Sequence, residues 1–218
     1  PALTSGRVAD IVVHPDNNDK WYVAAASGGI WYTENHGTTF NPIFDGYGSF
    51  SIACIELAQS NPNTVWVGTG ENNNQRSVAY GDGVYKSVDG GMSFTNMGLK
   101  NSEHIGNIII HPTDENTLWV AAYGPVWSSG GERGVYKSTD GGMSWAKTHE
   151  GYIDDLYYSY GYYFGHIYTS PSNPDHIYIY GVPILKSKDG GKTFTSIDGE
   201  NVHSDHHALW INPKNPNH

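Results

Sequence analysis

The chain has 218 residues, a net charge of −10, 38% hydrophobic and 16% charged residues. That is enough for one sizeable core, and too apolar for a disordered chain. No run approaches the ~20 apolar residues of a membrane span, and 12 basic residues leave no basic stripe for nucleic acid. Abundant Gly (27), Tyr (16) and Trp (7) suit short strands and tight turns better than long helices.

In chain order, the first apolar strand is expected over Arg7–Val13, followed by the turn His14-Pro15-Asp16-Asn17-Asn18-Asp19. A polar corner, Thr33-x-Asn35-x-Gly37-x-x-Phe40, comes next. The same grammar then recurs. Strands over Ile52–Leu57 and Thr64–Gly68 flank the turn Ser60-Asn61-Pro62-Asn63, a third strand covers Gly83–Ser87, and the corner is Ser87-x-Asp89-x-Gly91-x-x-Phe94. The third and fourth copies carry the turns starting at His111 and Ser170 and the corners Ser138-x-Asp140-x-Gly142-x-x-Trp145 and Ser187-x-Asp189-x-Gly191-x-x-Phe194. A fifth turn, Asn212-Pro213-Lys214-Asn215-Pro216-Asn217, follows a short strand expected over Ala208–Ile211.

Units of ~40–50 residues with four short strands predict an all-β fold, a β-propeller of four-stranded antiparallel blades. The blades are expected at about 1–48, 49–101, 102–150 and 151–202, with a fifth starting at 203–218. One such sheet cannot bury both faces, whereas radial stacking can. Asn35, Asp89, Asp140 and Asp189 are assigned a structural role, because Asp and Asn accept backbone N–H groups in tight turns and the motif occurs once per blade. The lone cysteine, Cys54, lies in an apolar run and is expected to pack as a small core residue.

These corners resemble the BNR or Asp-box repeat, found in sialidases, xyloglucan-active glycoside hydrolases, photosystem assembly propellers and sortilin-type receptors. Gly70-Glu71-Asn72-Asn73, Tyr80–Ser87, Gly131–Ser138 and Glu200–Trp210 are similar to large secreted bacterial proteins with sortilin-like propellers, often labelled glycosyl hydrolases. The resemblance implies a secreted, periplasmic or cell-surface protein, and a chain that is part of a larger propeller or multidomain protein. It does not by itself transfer a reaction.

The loops entering the first strand of each blade and those joining the second to the third should share one face, the top. The repeats align there as Arg7, Ser51, His104, Tyr163 and Asp205, and three places later as Asp10, Cys54, Asn107, His166 and Ala208. Ligand-binding candidates are Arg7, Asn72, Arg76, His104, Arg133, Tyr163, His203, Asp205 and His206, with a glycan or a protein or peptide as ligand. A sialidase-like arginine triad is not expected, since the Arg-Ile-Pro segment of those enzymes is missing. Should the chain be a glycoside hydrolase, Glu71, Glu132 and Asp205 are the candidate acid and base, needing two carboxylates about 5–10 Å apart.

The densest ligand cluster is His203-Ser204-Asp205-His206-His207, in which His203, Asp205 and His207 would share one side of a strand. Its histidines are expected to hydrogen-bond at a channel mouth; no metal and no cofactor is assigned. Six tyrosines between Tyr152 and Tyr163 offer flat faces with polar tips, suited to sugar or protein contact or to packing over a blade.

Overall fold

A computed structural model of the chain describes residues 6–72, 78–151, 153, 165–204 and 206–215. Among these, four antiparallel sheets of four strands follow one another along the chain. Blade one holds β1 (Val8–Val13), β2 (Trp21–Ala25), β3 (Gly29–Thr33) and β4 (Asn41–Pro42); blade two holds β5 (Ile52–Leu57), β6 (Val65–Thr69), β7 (Val84–Ser87) and β8 (Thr95–Gly98). Blade three holds β9 (Ile105–His111), β10 (Asp114–Ala122), β11 (Gly134–Ser138) and β12 (Ala146–Lys147); blade four holds β13 (His166–Ser170), β14 (Asn173–Tyr180), β15 (Ile184–Ser187) and β16 (Thr195–Ser196). Each sheet pairs its strands in chain order, the meander expected of a propeller blade. The short strand expected over Ala208–Ile211 is not among the strands of the described residues.

The corners work as the residue types require. The Ser87, Ser138 and Ser187 hydroxyls donate to Asp89, Asp140 and Asp189 at 2.7, 2.8 and 2.7 Å. Each hydroxyl also accepts the N–H of the corner glycine, Gly91, Gly142 or Gly191. The other Asp oxygen accepts a hydroxyl two places after that glycine, Ser93, Ser144 or Thr193, at 2.6 Å. These bonds hold Asp89 and Asp140 down to about 2, and Asp189 lower still. Blade one substitutes a neutral version, Thr33 donating to Asn35 at 3.0 Å.

The corner has two further contacts. Its backbone N–H reaches the first turn of its own blade, Gly90 to Asn63 and Gly141 to Asn116, both 2.9 Å. In blades two and three its glycine lies on an aromatic of the preceding blade, Tyr22 beside Gly91 and Trp66 beside Gly142, whereas Gly191 meets Thr148. At Gly142, φ is +87° and an added Cβ would stand 2.3 Å from the Trp66 ring. Trp66 is fully buried between blades two and three, with Lys86 from the neighbouring strand 5.2 Å from the ring centroid. Lys137 over Trp119 and Lys186 over Tyr178 repeat the pair.

Apolar residues between adjacent blades form the core. Blade one gives Tyr22, Ile30 and Phe44 to the face of blade two carrying Ile52, Ile55 and Val67. The register makes Ile11 and Val13 the equivalents of Ile55 and Leu57. Yet Ile11 and Val13 are 55% and 45% exposed, against 1% and 6% for their equivalents. Blade one thus presents the same apolar face that blade two buries, as a blade of a larger propeller does.

Candidate functional site

The four innermost strands, β1, β5, β9 and β13, contribute to a cavity of about 640 Å³. Three of them carry a bulge at the same place, where the register skips Ala9, Ala53 and Gly106. A bulge bends the strand and re-aims its side chains. The skipped residues are small, and together with Gly165 they line the cavity.

The residue after each bulge ties one blade to the next. Asp10 accepts the N–H of Ile55 at 2.9 Å and that of Ile11 at 2.8 Å. Asn107 donates to the Ile167 carbonyl at 3.1 Å and accepts the Ile108 N–H at 2.9 Å. Cys54 holds the equivalent position in blade two and is buried, its thiol pushed well up by desolvation. The polar column noted in the sequence therefore straps blades together as well as lining the cavity.

Two carboxyls face this space. Burial raises Asp10, although its two backbone hydrogen bonds oppose the shift. Burial, and then the nearby Asp10 charge, push Glu56 up to about 8. Glu56 makes no hydrogen bond or ion pair among the described residues that would offset this shift, and it keeps part of its surface accessible. His166 is lowered by burial and by His207, and both line the cavity.

Of the sequence candidates, Arg7 and Asn72 reach the cavity. Arg7 is ion-paired with Glu71, a buried carboxylate that also accepts the Ala79 N–H. The Asn72 amide donates to the Gly106 carbonyl at 2.7 Å. The remaining candidates are spent elsewhere. Arg133 donates to the carbonyls of Pro125 and Ser128 within its own loop. Glu132 accepts the Asn101 N–H at 2.8 Å and ties two loops. His104 is fully buried beside Tyr80, its ring lowered to about 4 first by burial and then by Arg133. It lies off the cavity wall. His203 contacts the Ser204 carbonyl, and His206 meets Asp198 at 3.0 Å. Arg76, Tyr163 and Asp205 lie outside the described residues, as do the six tyrosines from Tyr152 to Tyr163.

Sequence reasoning missed Glu56, although the repeat carried a signal for it. The register aligns Val12, Glu56, Ile109 and Tyr168, a column with one carboxyl among otherwise apolar or aromatic residues. His207 and Tyr123, which also line the cavity, sit where no repeat position marks them.

No family model and no curated protein matches the chain. Solved structures do. A GH74 xyloglucanase from Xanthomonas campestris aligns with a TM-score of 0.67 at 16% identity, over 90% of this chain and 31% of that one. The Niastella koreensis GH74 enzyme gives 0.62 at 22% identity, over 88% and 29%. An auxiliary nutrient-binding protein from Bacteroides thetaiotaomicron gives 0.60 at 15% identity, over 95% and 44%. The chain spans less than half the length of each of these. At such identities the likeness shows the fold, a β-propeller. No helix among the described residues is long and apolar enough to cross a membrane.

Proposed function

We propose that the chain is a binding module of a secreted or cell-surface β-propeller, taking a glycan or protein ligand in the cavity along its innermost strands. One observation carries this reading. Four blades with one shared strand pattern present four different side chains, Asp10, Cys54, Asn107 and His166, at a single position beside one cavity. A cavity of this size falls in the range of small-ligand sites. The Bacteroides thetaiotaomicron neighbour, an auxiliary nutrient-binding protein, supports a binding role.

The test is a glycan and peptide array probed with the labelled protein, followed by calorimetry on the hits. Ala9→Leu places a larger side chain at the cavity wall and should weaken a true ligand at least tenfold without lowering the melting temperature. Arrays without a hit, or hits indifferent to Ala9→Leu, overturn the reading.

Glycoside hydrolysis is the second reading, favoured by Asp10 and Glu56 lining one cavity with Glu56 held protonated to about pH 8. That is the environment a general acid needs. The GH74 neighbours support it as well. It ranks second because both Asp10 oxygens already accept backbone N–H groups. Glu71 is neutralised by Arg7 and Glu132 holds a loop. Polysaccharide turnover abolished by Glu56→Gln would promote this reading.

A further inference from the structure

Resting on the binding reading above, we infer that the cavity selects a basic side chain of a polypeptide, a lysine or arginine whose cationic head sits against Glu56. The argument begins with what Glu56 lacks. It lines the cavity, keeps part of its surface accessible there, and makes no hydrogen bond or ion pair among the described residues. Burying a carboxyl without a partner is costly, and a ligand cation removes that cost.

The other groups around the cavity sharpen the choice of charge. Arg7, a fixed cation at the wall, is engaged by Glu71. From β1, Asp10 adds a second acid; from β13, His166 is held toward its neutral form by burial. Asn72, Asn107 and the β5 residue Cys54 are neutral, and His207 faces His166. An anionic ligand would therefore meet two acids and one already paired guanidinium.

The wall also suits the stem of such a side chain. Ile11 and Val12, both solvent-accessible, provide apolar surface on the wall that Glu56 shares. Lysine and arginine lay their methylene stems along such surface and keep the charge at the tip. Tyr123 and Tyr168 also line the cavity. An amino sugar carries its charge directly on a hydroxyl-rich ring and has no apolar stem to lay there.

Proton linkage gives a second readout. Glu56 is protonated below about pH 8 when the cavity is empty. A bound cation favours its ionised form, so binding releases a proton, and affinity climbs up to tenfold per pH unit between pH 6 and 8.

The experiment is calorimetric titration with Nα-acetyl-lysine amide and Nα-acetyl-arginine amide, in two buffers of different ionisation enthalpy, at pH 6, 7 and 8. Nα-acetyl-norleucine amide is the neutral control and glucosamine the sugar arm. Expected are binding of the cationic amides at least tenfold tighter than norleucine, proton release near one per ligand at pH 6 to 7, and loss of both in Glu56→Gln. Glu56→Val, which restores the apolar residue of the aligned column, checks that the loss is not a folding defect. Equal binding of lysine and norleucine amides, unchanged binding in both variants, or tighter binding of glucosamine would each overturn the inference. An array ligand blocked by Ala9→Leu but indifferent to these amides would remove this inference and leave the binding reading standing. Arrays without any hit would remove both.

Discussion

The two ends of each blade obey different rules. At the corner end, blades two to four use the same atoms in the same roles: hydroxyl to Asp, Asp to a second hydroxyl, glycine N–H to the first hydroxyl. At the channel end, equivalent positions hold an acid, a thiol, an amide and an imidazole. Repetition marks what every blade needs in order to fold. Variation at a position with a conserved backbone geometry marks what a whole propeller does once, and the cavity lies at that end.

The sharpest way to break this contrast is at the aromatic beneath the corner. Trp66→Ala should cost roughly 3–5 kcal/mol, since the ring is fully buried between two blades. Gly142→Ala should cost roughly 2–4 kcal/mol, because a Cβ would strike that ring at a backbone angle L-residues rarely adopt. Gly46→Ala, with nothing nearby, is the control and should be nearly neutral. Urea unfolding midpoints measure all three. A small loss for Trp66→Ala would mean that the corners, and not the aromatics under them, hold the blades together.

At the channel end the corresponding test uses pH. Glu56 is raised from 4.5 to about 8, so the folded state binds its proton more tightly than the unfolded chain does. Its contribution is complete below about 4.5 and is lost as pH rises to about 8, at up to about 1.4 kcal/mol per pH unit. Glu56→Gln should flatten that decline in melting temperature between pH 5 and 8. Asp10→Asn should lower the Glu56 titration below about 8, since one like charge is gone, while burial keeps it above the ordinary range. Carboxyl NMR shifts read this directly, and an unmoved Glu56 would show that the two acids are not coupled.

The fold was legible because a corner repeated four times states both the turn and the spacing. Strand β5 falls where alternation and the flanking turns placed it, and β1, β6 and β7 fall within a residue or two. The site was legible only in part. Arg7 and Asn72 follow from their place at a strand mouth or a loop, and both reach the cavity. His104 and Arg133 obey the same positional rule but turn away, one into the space beside Tyr80 and the other onto its own loop carbonyls. Such a choice depends on packing between blades, which a repeat alignment does not contain. Glu56 required the opposite habit, reading a column for its exception.

The straps after the bulges should have intermediate effects. Asn107→Ala removes one donor to the Ile167 carbonyl and should cost about 1–2 kcal/mol, loosening blade four from blade three. Asn107→Asp cannot donate there and should lose a similar amount at neutral pH. Hydrogen exchange of the Ile108 amide, which Asn107 accepts at 2.9 Å, would locate the effect. Unchanged protection in Asn107→Ala would assign the strap no role.

The smallest effect, and the finest test of the contrast, belongs to the corner acids. Asp140 is fully exposed, and its carboxylate is held at about 2 by Ser144 and Ser138. A lowered carboxylate adds stability above its unfolded value near 3.8, and that stability disappears as pH falls through about 2. Blade one already runs its corner with Asn35, whose Oδ1 accepts the Thr39 N–H at 2.9 Å as Asp140 accepts that of Ser144. Asp140→Asn should therefore fold normally at pH 7, with a loss smaller than that of any variant above. Its acid-unfolding curve between pH 4 and 2 should be shallower than that of the parent, because one of the three acidic corners no longer titrates. A parallel curve would mean that the hydroxyl and backbone contacts hold the corner whether or not the acid is charged, and that the neutral corner of blade one is equivalent to the others at every pH.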